Sequence, residues 1–212
     1  VVSRIEVDTA YGPGRLVIEA AAVPRGTLLL SHGAGNGIDT HDLAALAATL
    51  PAAGITVARF EQPWRVAGRK VATPPATLDV GLTAAAGLLD TGGLLVVGGR
   101  SAGARSAART ARALGAAGLL ALAFPLHPPG RPEKSRLDEL TGAGVATLIL
   151  QGERDPMGRP EEFPDQEWEL VVVPGADHGL KVAKSSTLGA EGVARLLTES
   201  VLDWWIRSFG NR

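Results

Sequence analysis

The chain has 212 residues, of which 45% are hydrophobic and 20% charged, the make-up of a globular protein large enough to bury a core without covalent staples. A formal net charge of −1 and a pI near 6.5 leave no electrostatic footprint for nucleic acid, and the lack of cysteine excludes disulfides, zinc–thiolate sites and cysteine nucleophiles. Apolar runs fall far short of the ~20 residues of a membrane span and no charged leader precedes one, so the expectation is one soluble, cytoplasmic domain over residues 1–212, with no membrane partner.

In chain order, "RIEVD" and "GRLVIEAAA" read as two opening strands joined by a turn at Tyr11–Gly14. "TLLLSHG" is a buried strand followed by a helix over about 41–53, and "ITVARF" is the next strand. The segment 65–75 reads as a loop, 78–89 as a helix after a proline-rich entry, "LLVVGG" as a strand and 102–114 as a helix. "GLLALAF" is a strand, 125–134 a loop and 136–140 a short helix. "VATLILQG" and "WELVVVPG" are the last strands, before a helix over about 191–209. In that helix Val193, Leu196, Leu197, Val201, Trp204 and Trp205 recur at helical spacing, as expected of a face packed on a sheet. Strands of nearly unbroken apolar residues alternating with helices predict an α/β fold: a mostly parallel sheet of about eight strands with helices on both faces.

Open parallel sheets collect functional groups at the carboxyl ends of their strands. Here "SHGAGNG", "GGRSAG", "QGERDP" and "PGADHG" each follow a different strand, so a glycine-rich loop, a serine, an acid and a histidine stand at four strand ends. Ser101, Asp155 and His178 occur in the chain order of a G-x-S-x-G elbow with its acid and base. A serine hydroxyl needs a base to take its proton. His178 suits that task near neutral pH, and Asp155 would fix its tautomer. Oxyanion donors are expected from the N–H groups of Ala102 and Ala34, with Gly33 as the alternative to Ala34.

Each element has a plainer reading: G-x-S-x-G alone is common in loops, Asp155 before Pro156 can start a turn, and His178 can be a solvated loop residue. Glu153 competes as the acid but suits the turn less well than the residue before Pro156, and Asp177, adjoining His178, would point elsewhere in an extended loop. His127 follows a strand but has no carboxylate at a matching position, which leaves it a substrate-lining or structural role. A dinucleotide fingerprint at "GAGNG" fails on spacing, because Ile38 stands where the third glycine belongs.

Together "SHGAGNG", "VARF", "GGRSAGAR", "FPLHPPGRPEK", "QGERDP" and "GADHGLKV" resemble a small α/β-hydrolase-like family, a neighbour of the dienelactone hydrolases. It includes testis-expressed protein thirty, the hydrolase-like domain of the third NSL complex subunit and many bacterial hydrolase-like proteins. The resemblance covers nearly the whole chain and is most specific in "GGRSAG" with "PLHPPG". It implies the α/β-hydrolase fold, with Ser101 as nucleophile, Asp155 as acid, His178 as base and Gly33–Ala34 at the oxyanion site. It also implies a second possibility, since some eukaryotic members serve as complex subunits: a catalytically idle interaction module on the same fold.

Only residues 125–145 separate the strands between which many α/β-hydrolases insert a lid, so no large lid domain is expected. The expected partner is a small-molecule acyl substrate in an open site, hydrolysed through an acyl-enzyme with no metal or organic cofactor; the sequence leaves the oligomeric state open. Arg100, beside the nucleophile, and Trp64 with Arg65, Arg69 and Lys70 either line a cationic rim for an anionic substrate or serve as ordinary surface and support.

Overall fold

The computed structural model describes residues 2–210. Eight strands form one sheet: β1 (Val2–Val7), β2 (Gly14–Glu19), β3 (Gly26–Ser31), β4 (Ile55–Glu61), β5 (Leu95–Arg100), β6 (Gly118–Leu122), β7 (Ala146–Gly152) and β8 (Trp168–Val173). Their order is β1-β2-β4-β3-β5-β6-β7-β8. β1 pairs with β2, and β2 with β4, antiparallel; every later pairing is parallel. The helices are α1 (His41–Thr49), α2 (Pro63–Val66), α3 (Pro75–Ala86), α4 (Ala102–Thr110), α5 (Leu137–Thr141) and α6 (Gly189–Phe209). Among the described residues no helix is long and apolar enough to cross a membrane.

The strands are apolar on both sides because both sides are covered, and their two-residue period sorts the core into two layers. Leu28, Leu30, Val96, Leu120, Leu122, Leu148 and Leu150 pack on one face with Leu43 and Leu46 of α1 and Val193, Leu197, Val201, Trp204 and Trp205 of α6. Their neighbours Leu29, Val97, Leu119, Ala121 and Ile149 face the other way, onto Leu82 and Ala85 of α3 and Ala104, Ala107 and Ala108 of α4. The stripe in α6 is therefore core, except that Leu196 is only partly buried.

Several boundaries differ from expectation: α4 stops at Thr110 rather than 114, α1 gives way to a 3-10 turn after Thr49, and proline explains two helix starts. α3 begins at Pro75, and α2 begins at Pro63 just ahead of a segment read as loop. At the first helical position the missing N–H of proline costs nothing, so a proline-rich entry can be the first turn itself. The connection from β6 to β7 carries only α5, so no lid stands over the carboxyl edge of the sheet.

Candidate active site

β5 stops at Arg100 and α4 starts at Ala102, which leaves Ser101 alone on the turn, at φ +52° and ψ −111°. For a residue with a side chain that conformation costs about 1–3 kcal/mol. It is held by the Ser101 N–H donating to the Leu122 carbonyl (2.9 Å) and by the Arg105 N–H donating to the Ser101 carbonyl (3.1 Å). A Cβ on either Gly99 or Gly103 would run into the Ser31 carbonyl, so glycine at both positions lets the elbow pack against the end of β3.

The structure brings Ser101, His178 and Asp155 from three strand ends into one line. Ser101 Oγ lies 2.9 Å from His178 Nε2, and His178 Nδ1 lies 2.7 Å from Asp155 Oδ2. Asp155 is fully buried, and its other contacts are also donors: Gln151 Nε2–H to Oδ2 (2.9 Å) and the Met157 N–H to Oδ1 (2.8 Å). With an acceptor on Nδ1, the assigned tautomer of His178 carries its proton there and leaves Nε2 to accept from the serine hydroxyl.

The loop bearing His178 is fastened from several sides. Asp177 Oδ1 accepts the N–H groups of Gly179 and Lys181 and so forms the turn. His41 Nε2–H donates to the Leu180 carbonyl (3.1 Å). Arg100, 7% exposed, donates from Nη2 to the His178 carbonyl (3.0 Å), while its Nε stands 3.1 Å from Oδ2 of the fully buried Asp42. That last contact is an ion pair by distance, but its angle is poor: neither Arg100 Nε nor the Asp42 oxygens have an aligned hydrogen-bond partner among the described residues.

After β3, His32 shapes the glycine-rich loop. Its Nε2 accepts the Gln62 N–H (3.0 Å), so Nδ1 carries the proton and donates to the Gly33 carbonyl (2.8 Å). Burial, the largest influence, lowers the pKa of His32 from its ordinary value, in keeping with that neutral form. Because the C=O and N–H of a trans peptide point opposite ways, fixing the Gly33 carbonyl also fixes the Ala34 N–H. Ala34 is exposed and Gly33 buried, and no acceptor among the described residues takes the N–H of Gly33, Ala34 or Ala102.

Other residues singled out from the sequence lie elsewhere. Trp64 is buried within α2 with its ring 5.4 Å from that of His32, not on an open loop. Arg69 and Lys70 are exposed. Glu153 accepts the Gly175 N–H (2.6 Å). His127 does have a carboxylate partner, contrary to expectation: Nε2 is 2.9 Å from Glu162 Oε2, and Nδ1 donates to the Pro128 carbonyl (2.8 Å). Glu162 is far along the chain, on a short 3-10 turn that sequence periodicity does not reveal. Two residues passed over in the sequence, Gln151 and Asp42, hold Asp155 and Arg100; a polar side chain closing an apolar strand was the available signal for Gln151.

A cavity of about 540 Å³ adjoins this line of residues, between the loop after β3 and the loop carrying His178. A larger one, about 1160 Å³, lies at the amino ends of the strands beside α6 and holds none of the predicted site residues. Among the described residues no group of three or more His, Asp or Glu is placed to hold a metal ion.

Residues 24–205 match the family described as Alpha/beta hydrolase domain. Among solved structures, the chain is similar to an alpha-beta serine hydrolase homologue from Coxiella burnetii (17% identity, TM-score 0.74, 94% of this chain and 97% of that one). It is also similar to an α/β serine hydrolase without lid from Xanthomonas campestris (21%, 0.69, 96% and 94%), and to dienelactone hydrolase from Anabaena variabilis (18%, 0.72, 99% and 98%). At these identities the likeness establishes the fold. No curated protein matches the chain.

Proposed function

The chain belongs to the alpha/beta hydrolase domain family, and on that premise we propose that it is a serine hydrolase of small carboxylic esters or related acyl bonds. The observation that carries this reading is the unbroken relay from Ser101 Oγ through His178 to Asp155, at 2.9 and 2.7 Å. Ser101 attacks the carbonyl carbon as its proton passes to His178 Nε2, and Asp155 stabilises the imidazolium that forms. The negative oxygen of the tetrahedral intermediate accepts from the N–H groups of Ala102 and Ala34, where each donor contributes about 2.7–4 kcal/mol of transition-state stabilisation. Collapse breaks the ester C–O bond, and His178 returns the proton to the departing alkoxide. Water, deprotonated by His178, then attacks the acyl-enzyme; the acid leaves and the Ser101 hydroxyl is restored. The edge without a lid supports a small acyl group in an open site.

A fluorophosphonate probe tests the reading. Wild-type protein is expected to take the label and Ser101→Ala to take none. Folded wild-type protein that stays unlabelled would refute it and favour an idle interaction module.

A further inference from the structure

Asp155 stands just past the end of β7, in the segment that leads to the short 3-10 turn at Pro160–Glu162, and Leu126 and His127 fasten that segment along its length. The His127 N–H donates to the Met157 carbonyl (3.0 Å), and the N–H of the same Met157 donates to Asp155 Oδ1 (2.8 Å). Gly158 lies so near Leu126 that a methyl placed on it would stand 2.6 Å from Leu126 Cβ. At the far end Glu162 accepts the Arg159 N–H through Oε1 (2.8 Å) and meets His127 Nε2 through Oε2 (2.9 Å). The side chain of His127 thus closes the segment that carries the buried acid.

The ring of His127 faces an acceptor on each side. Nδ1 lies 2.8 Å from the Pro128 carbonyl, and Nε2 faces the carboxylate of Glu162. A neutral imidazole has one N–H and satisfies only one of them, whereas the imidazolium satisfies both. His127 is 6% exposed, so water does not readily replace a lost partner. The Arg159 N–H, first, and then His127 hold Glu162 below the ordinary carboxylate range against the effect of burial, so the extra proton sits on the ring. The Pro128 carbonyl, first, and Glu162 hold it there, against burial and the charge of Arg136. Arg136 itself donates to the Pro125 carbonyl (3.1 Å), and Arg159 lies 3.9 Å from Glu161.

We propose that His127 and Glu162 form a proton-operated clasp that positions Asp155, tight while His127 is an imidazolium and slack once the ring is neutral. His127 is a positioning residue here, and the inference rests on the reading of Asp155 as the acid of the relay. Loss of the extra proton removes one of the two ring hydrogen bonds and the attraction between opposite charges. Because the folded state raises the pKa of His127, the clasp is full at low pH and slackens as pH rises through that raised value. His178 must be neutral to act as base, so the clasp limits the rate on the alkaline side.

Fluorophosphonate labelling rates of wild type and Glu162→Gln, compared from about pH 6 to about pH 9, test the clasp. In Glu162→Gln the amide oxygen keeps the Arg159 N–H, and the amide N–H donates to Nε2 of a neutral His127, so the clasp closes without the extra proton. The two proteins share one relay, so the ratio of their rates cancels the titration of His178. Wild type is expected to match the variant at the acid end and to lag it about tenfold at the alkaline end, on the scale of one charge-assisted hydrogen bond. His127→Leu, with neither ring contact, is expected to lag Glu162→Gln by that factor at every pH. Proton–nitrogen correlation spectra of wild type are expected to show His127 as an imidazolium at about pH 7, where an ordinary histidine is mostly neutral. A flat ratio, a neutral His127 at that pH, or His127→Leu labelling as fast as Glu162→Gln would each overturn the clasp and leave the hydrolase standing. If His127→Leu does not fold, the ratio and the spectra decide. Wild type that takes no label at any pH would remove the hydrolase, and the positioning role with it.

Discussion

Arg100→Met isolates the cost of the buried ion pair under the elbow. Asp42 is fully buried, and Arg100 is its sole cationic partner among the described residues, at 3.1 Å. Methionine keeps much of the volume but leaves a carboxylate with no counter-charge, and it also strips the donor from the His178 carbonyl. Removing one partner of a buried pair costs about 3–5 kcal/mol. At roughly 2–4 °C per kcal/mol for a chain of this size, the melting temperature should fall by about 6–20 °C. The poor angle between Arg100 and Asp42 leaves charge compensation, rather than a strong hydrogen bond, as the stabilising term. Arg100→Met/Asp42→Leu, which removes both charges, should therefore be more stable than Arg100→Met alone. Urea unfolding followed by tryptophan fluorescence measures both. A loss under about 1 kcal/mol in the single variant, or a double variant no better than the single, would refute the reasoning.

Three further outcomes are expected. Asp155→Asn should slow fluorophosphonate labelling about 10³-fold or more, since the amide no longer selects the reactive tautomer of His178; an unchanged rate would remove Asp155 from the proposed relay. Gly103→Ala should lose roughly 1–3 kcal/mol in urea unfolding because its Cβ runs into Ser31, whereas Gly35→Ala, with nothing within 4 Å, should lose under about 0.5 kcal/mol. The pKa of His127 is raised, first by the Pro128 carbonyl and next by Glu162, against the opposing effect of burial. The stability that His127 contributes should thus be full below the unfolded pKa of about 6.5 and be lost as pH rises through the higher folded value. A stability gap between wild type and His127→Gln that does not change with pH would contradict this.

Much of the fold was legible because strand burial leaves a direct mark: runs such as "TLLL" and "ATLIL" are apolar on both faces only under two helical layers. The positions of Ser101, Asp155 and His178 were legible because strand ends in a parallel sheet converge, and each follows such a run. The contacts around them were not. Asp42 reads as an ordinary acid in the first turn of a helix, and nothing local marks it as the partner of Arg100, nearly sixty residues on. Glu162 meets His127 across 35 positions, and Gln151 looks like a routine strand terminator. Such pairings depend on how loops fold over the sheet, which hydrophobic periodicity does not encode. The entries to α2 and α3 were obscured for another reason, as proline signals both a loop and a first helical turn.

The distance along the chain between Ser101 and its proposed base, 77 residues, also sets an order of events during synthesis. At about 5–20 residues per second, the ribosome adds that stretch in roughly 4–15 s. Within this interval α4 and β6, which hold the elbow, are made before β8 and the histidine beyond it. The serine hydroxyl is then as unreactive as any other alcohol. On the proposed mechanism, the nascent chain acquires its chemistry only when the final edge of the sheet is laid down.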